Sequence, residues 1–258
     1  MPDFETAKDK VLMGAERKSM VISNEEKRVT AYHEAGHALL LELLPHTEPL
    51  HKVTIIPRGP SLGSTMWLPE EDKYTNRKNE LLAGLAVKMG GRVSEEIIFG
   101  DVTNGATGDI RMATSMARKM VCEWGMSEKM GMVEYGEHED YVFLGRDISR
   151  ARDYSEATAE QIDREVRKLI DDAYQTARDT LIAHRDKLEV IAKALLEYET
   201  LDGVQIKEII KHGRLINPPP GPPPPAPGQK MADKPPKQVV VAPDVTPPLP
   251  GGLSGAPA

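Results

Sequence analysis

His33 and His37 stand four residues apart, with Glu34 beside the first, in a run that holds no proline between Ser23 and Leu44. Four residues is about one helical turn, so on an α-helix both imidazoles leave one face, roughly 5–6 Å apart at Cβ. The flanks predict that helix. Ser23 followed three residues later by Glu26 reads as a capping box. Val29, Ala31, Tyr32, Ala35, Ala38, Leu39, Leu41, Leu43 and Leu44 supply apolar positions until Pro45 stops the run. Gly36 costs about 1 kcal/mol relative to Ala in a helix interior. Close approach of another backbone, or of a substrate, would explain it.

The spacing carries chemistry. Two imidazoles one turn apart can share a Zn²⁺ ion at roughly 2.0–2.1 Å, and the glutamate after the first can take a proton from water activated by the metal. The bland alternative is a pair of core histidines around a solvated glutamate. Three such polar groups near an apolar face need partners, which weighs against it. Catalytic zinc takes three protein ligands, so one is outstanding. Candidates are Glu95, Glu96, Asp101, Asp109 and the remaining histidines. Asp109 opens a helix after a loop whose Gly105 and Gly108 permit close packing. It reads equally well as a first-turn carboxylate on the helix dipole, worth about 0.3–1 kcal/mol. Spacing alone leaves Asp109 and the pair Glu95 and Glu96 as open alternatives. The metal expectation is one Zn²⁺ per chain.

The remaining elements are mostly helical. Aromatics are 5% of the 258 residues, while Ala, Leu, Met and Glu abound, which favours helices over a β-sandwich. Residues 1–22 read as a connector. Lys52–Pro57 and Leu62–Leu68 read as two short strands around Arg58–Ser61, a hairpin that must pack on helices to persist. A helix from Thr75 is expected to end at Gly90-Gly91, with a helical turn from Ser94 to Phe99 closed by Gly100. Another is expected from about Asp109 to Glu123 with Thr107 as N-cap. A short strand is possible at Tyr141–Leu144. Helices at Ser155–His184 and Leu188–Tyr198, and a short one capped by Asp202, resemble an antiparallel bundle. Beyond Asn217 lie fifteen of the 21 prolines, between Pro218 and Pro257, a composition that predicts a disordered or polyproline-like tail. The fold class is therefore mainly α: a helical domain over 23–216 with a small β-hairpin and a C-terminal helical bundle, then a Pro-rich tail over 217–258.

Composition excludes several functions. A net charge of −7 with no basic stripe argues against nucleic acid. Cys122 is alone, so neither an intramolecular disulfide nor a multi-thiolate zinc site can form. No phosphate-binding G-x-x-x-x-G-K-[ST] loop occurs, and no apolar run reaches the ~18 residues a membrane span needs.

Longer stretches add a resemblance. Met13-Gly14-Ala15-Glu16-Arg17-Lys18-Ser19, Thr30-Ala31-Tyr32 leading into the histidine motif, Val53-Thr54-Ile55-Ile56-Pro57-Arg58-Gly59, Gly91 to Gly100, Thr107-Gly108-Asp109-Ile110, Trp124-Gly125-Met126-Ser127 and Phe143-Leu144-Gly145-Arg146 together resemble the peptidase part of the FtsH family. These are membrane-anchored, ATP-dependent AAA zinc proteases of bacterial type. The resemblance runs in order from about residue 3 to about 215. It implies His33, His37 and Asp109 as zinc ligands and Glu34 as general base, with Glu95 either orienting a histidine or simply a helix carboxylate. It also implies unfolded polypeptide substrates, a homo-hexamer, and an AAA ATPase module joined through residues 1–22. The expected place is the cytoplasmic face of the bacterial inner membrane. Two other readings remain: a helical assembly module with a dormant metal site, and a self-standing soluble protease.

Overall fold

The computed structural model describes residues 2–17, 20, 22–59, 61–69, 72–136 and 154–219. The chain divides into residues 1–222 and 223–258, and the second unit lies outside the described residues, as do the Pro-rich tail from residue 220 and the strand expected at Tyr141–Leu144.

Helix α2 (Asn24–Leu43) carries the histidine motif, and its start is the expected capping box. Ser23 Oγ accepts from the Glu26 amide at 3.1 Å while Glu26 Oε2 accepts from the Ser23 amide at 3.3 Å. The helix is buried on nearly all sides through its second half, where Ala35, Ala38, Leu39 and Leu40 are fully enclosed. Before it, the segment read as a connector contains helix α1 (Pro2–Met13). Charge complementarity ties that segment down: Lys52 pairs with the buried Asp9, and Arg58 Nη2 donates to Glu16 at 2.6 Å.

One expectation fails instructively. The helix from Thr75 does not stop at Gly90-Gly91; α3 runs unbroken over Lys78–Phe99, and only Gly100, with φ of 66°, ends it. The glycines lie where α3 crosses α2. A Cβ on Gly36 would fall 2.4 Å from the Gly90 carbonyl oxygen, and a Cβ on Gly91 would fall 2.3 Å from His33 Nε2. Absence of a side chain here lets two backbones touch, which a sequence scan reads as a break. Ser94 Oγ, donating to the Tyr32 carbonyl at 2.6 Å, closes the contact.

The expected hairpin is present as β1 (Leu50–Thr54) and β2 (Ser64–Trp67), with Val53 opposite Thr65 and Thr54 opposite Ser64. It gains a strand that sequence reading missed. β3 (Thr200–Asp202) pairs antiparallel with β1, giving the order β2-β1-β3 with β2 at an edge. Three residues between two helices offer too short an alternation to register.

A 3₁₀ turn, Asn104–Ala106, precedes α4 (Thr107–Cys122). Thr107 is therefore the first residue of α4 rather than its cap, its hydroxyl donating to the Asn104 carbonyl at 2.6 Å. Thr103 instead caps the 3₁₀ turn. Helices α5 (Glu156–Ala183) and α7 (Gly203–His212) start as expected after Ser155 and Asp202, whereas α6 (Arg185–Tyr198) begins three residues before the expected Leu188. They pack on one another, and more extensively α5 lies on α3 and α6 on α2. The core they close includes Ile162, Leu181, Leu188, Leu195, Leu85 and Met120, with Cys122 buried at its margin.

Candidate metal centre

On α2 the one-turn spacing brings His33 Nε2 and His37 Nε2 to 3.1 Å. The third corner comes from α4, whose first turn holds Asp109: its Oδ2 lies 3.4 Å from His33 Nε2 and 3.6 Å from His37 Nε2. Donor atoms around a tetrahedral zinc with bonds of roughly 2.0–2.1 Å stand about 3.3–3.4 Å apart. The observed triangle straddles that edge length, so this donor set fits one zinc ion. Among the described residues these three are the group of this kind able to hold a metal.

The other ring nitrogens explain why both Nε2 lone pairs point the same way. His33 Nδ1 donates to Glu95 Oε1 at 2.7 Å, and His37 Nδ1 donates to the Val87 carbonyl at 2.7 Å. Both partners are pure acceptors, so each Nδ1 carries the proton and each Nε2 is left to face the common point. Glu95, with 1% of its surface exposed, is itself fixed by the Thr103 amide donating to Oε2 at 2.7 Å.

These positions sort the carboxylate candidates. Glu95 stands behind His33, on the side away from Asp109. Glu96 faces α5, accepting from Tyr174 Oη at 2.6 Å and Arg178 Nη1 at 2.7 Å. Asp101 is exposed and accepts from the Val102 amide. Only Asp109 reaches both imidazoles.

Electrostatics agree with a point that wants positive charge. Burial opposes a protonated His33, yet hydrogen bonds to Asp109 and Glu95, with Glu34 nearby, push its imidazole up to about 10. Burial would raise the Asp109 carboxyl, but the hydrogen bonds to His33 and His37 outweigh it and hold it well below the usual carboxylate range. In the metal-free chain a proton occupies the lone pair that a cation would otherwise claim.

Glu34, 6% exposed, lies on the rim beside the two imidazoles. Its Oε2 accepts from Thr65 Oγ1 at 2.6 Å, and the same hydroxyl lies 3.3 Å from the Glu34 carbonyl. Gly63 hugs it: a Cβ there would fall 2.8 Å from Glu34 Cγ and Oε1. Thr65, Gly63 and the Val87 carbonyl were not singled out by sequence reading. Nothing in spacing marks a threonine on a short strand as a partner of a glutamate thirty-one residues earlier. Two cavities open on either side of this cluster, about 270 Å³ and about 570 Å³, both lined by His33, Glu34, Ser61, Gly63 and Gly105.

A helix-borne HExxH pair joined by a carboxylate from a second helix, with the motif glutamate at the rim of a cleft, defines the HExxH metallopeptidase class. The chain belongs to peptidase family M41, whose model matches residues 20–209. It is 59% identical over 218 residues to the ATP-dependent zinc metalloprotease FtsH 2 of Methylacidiphilum infernorum (isolate V4), a stretch covering 84% of this chain and 34% of that protein. It is 55% identical over 218 residues to the ATP-dependent zinc metalloprotease FtsH of Akkermansia muciniphila, with 84% and 27% covered. With the FtsH of Myxococcus xanthus (strain DK1622) the identity is 47% over 242 residues, covering 94% and 38%. The chain thus spans about a third of the length of the curated relatives it matches. No helix among the described residues is long and apolar enough to cross a membrane.

Proposed function

We propose that this chain is the zinc endopeptidase portion of an ATP-dependent, membrane-anchored protease that hydrolyses peptide bonds of unfolded polypeptides. His33, His37 and Asp109 would hold one zinc ion. Bound there, zinc supplies a Lewis acid that polarises a carbonyl and acidifies water. Every other part of the chemistry falls to the chain's own residues. Glu34 accepts a proton from the attacking water as its oxygen adds to the scissile carbonyl carbon. It then delivers that proton to the departing amine nitrogen as the C–N bond breaks. Thr65 holds the Glu34 carboxylate in place by donating to Oε2. Glu95 and the Val87 carbonyl keep the imidazoles oriented. β2, at a sheet edge beside the cleft, can pair with an extended chain through backbone hydrogen bonds that read few side chains.

That mode suits a protease fed by an unfoldase. Residues 1–22 would join the AAA ATPase module, six copies would form the working ring, and the domain would lie on the cytoplasmic side of a bacterial inner membrane. The observation that carries the reading is the donor triangle of 3.1, 3.4 and 3.6 Å with Glu34 at its rim. In the enzyme assembled with its ATPase, Glu34→Gln is expected to keep one zinc per chain and lose casein degradation by several orders of magnitude. Full degradation by that variant would refute the role of Glu34.

A further inference from the structure

The smaller cavity, which contains the donor triangle, has one lysine or arginine among its lining residues, Lys88 on α3. Its ammonium sits 5.2 Å from the centre of the Trp67 ring, at the end of β2. Lys88 is half-buried, and among the described residues no carboxylate comes within ion-pair distance of it. The anion that acts on it is Asp109, whose Oδ2 faces the two imidazoles instead. Burial accordingly pushes the Lys88 ammonium down from the usual lysine range, against the pull of Asp109. A partly desolvated cation without an anionic partner is unfavourable, and a ring face offsets only part of that cost.

The opposite side of Glu34 is different. The larger cavity has Glu25, Glu26 and Glu95 in its wall and no lysine or arginine among its lining residues. An extended chain lying across Glu34 therefore meets an ammonium in one cavity, where the Asp109 carboxylate is turned to the two imidazoles, and three further carboxylates with no lysine or arginine in the other.

We propose that Lys88 is a specificity-determining residue that draws the side chain of an aspartate or glutamate into the cavity beside the bond to be cut. The proposal rests on the peptidase reading given above. The incoming carboxylate accepts charge-assisted hydrogen bonds from Nζ in a space already partly cleared of water, where such bonds are strongest. Neutral residues enter without that gain, and a substrate lysine or arginine meets like charge. On the other flank an acidic residue would face Glu25 and Glu26, so a single acidic side chain also sets which way the peptide shifts in the cleft.

The test uses the zinc-loaded full chain carrying Glu34→Gln, which holds peptides without cutting them. Calorimetry compares three ten-residue peptides of neutral sequence that differ only in a central Asp, Asn or Lys. The Asp peptide is expected to bind about tenfold more tightly than the Asn peptide, the scale of one hydrogen-bonded charge pair. The Lys peptide should bind more weakly than either. Adding Lys88→Met should bring the Asp and Asn peptides together, Lys88→Glu should make the Lys peptide the best of the three, and Lys88→Arg should keep the original order. Zinc content at one per chain and an unchanged melting temperature check that each variant is folded. Equal binding of the Asp and Asn peptides before Lys88 is altered, or a preference that survives Lys88→Met, overturns the proposal and leaves the peptidase reading intact. Failure of all three peptides to bind counts against both.

Discussion

Between α2 and α3 there is no room for a methyl group at Gly36 or Gly91, whereas the outer face of α5 carries long charged side chains that touch little beyond one another. There Arg164 lies 3.8 Å from Glu160 and Arg167 lies 3.7 Å from Asp171, every side chain at least 69% exposed. Ion pairs of this kind hold their geometry loosely and contribute little. The crossing works the other way. His33 and His37 keep their aim because backbone and side chain fill the space behind them: Gly91 against the His33 ring, the Val87 carbonyl on His37, Glu95 on His33. The contrast teaches that the metal centre is set by what its second helix omits as much as by what it supplies.

The largest effect is expected from adding one carbon at the crossing. Gly91→Ala should lower zinc affinity by roughly 100-fold or more, at or beyond the upper end of what losing a ligand's outer partner costs. It should also destabilise the fold by about 1–3 kcal/mol, as overpacked contacts do. Chelator competition and thermal melting measure both, and normal zinc affinity in Gly91→Ala would remove the distinction drawn between the two surfaces.

Next in size is the response to pH. Because His33 is pushed up to about 10 without metal, zinc must displace its proton throughout the neutral range. The zinc dissociation constant should fall roughly tenfold for each pH unit between about 6 and 9, the slope of one released proton. Folding stability of the metal-free chain should weaken over the same rise in pH that tightens zinc binding. A raised folded-state value means the His33 contribution is complete below about 6.5 and fades as pH climbs through about 10. Melting curves with and without chelator separate the two, the decline appearing only without zinc.

A smaller loss is expected at the rim. Thr65→Val keeps the side-chain shape and removes the hydroxyl that donates to Glu34, so zinc should stay at one per chain while kcat falls roughly tenfold with KM little changed. A rise in KM with kcat little changed would mean that Thr65 serves the substrate rather than Glu34. The smallest effect belongs to α5: Arg167→Ala should shift stability by less than about 0.5 kcal/mol and leave zinc binding untouched.

Much of this molecule was legible in its residues, and for identifiable reasons. α2 announces itself through Ser23, Glu26 and Pro45, and α5 and α7 through Ser155 and Asp202, since each signal is local to a few residues. The histidine pair is likewise a local pattern. What stayed open was set by tertiary contact. Asp109 and Glu95 are both acidic, both near glycine-containing segments, and only the packing of α3 on α2 and of α4 on α3 sends Glu95 behind His33 and Asp109 before it. Gly90-Gly91 looked like a stop because sequence shows a missing side chain without the neighbour that requires it. β3 is three residues long, and Thr65 finds Glu34 only after β2 has paired with β1.

The most direct measurement is the anomalous difference map of a zinc-loaded crystal collected at the zinc absorption edge. One peak is expected within about 2.0–2.2 Å of His33 Nε2, His37 Nε2 and an Asp109 carboxylate oxygen, with Glu95 still on His33 Nδ1. A peak ligated by Glu95, or Asp109 turned away into solvent, would contradict it.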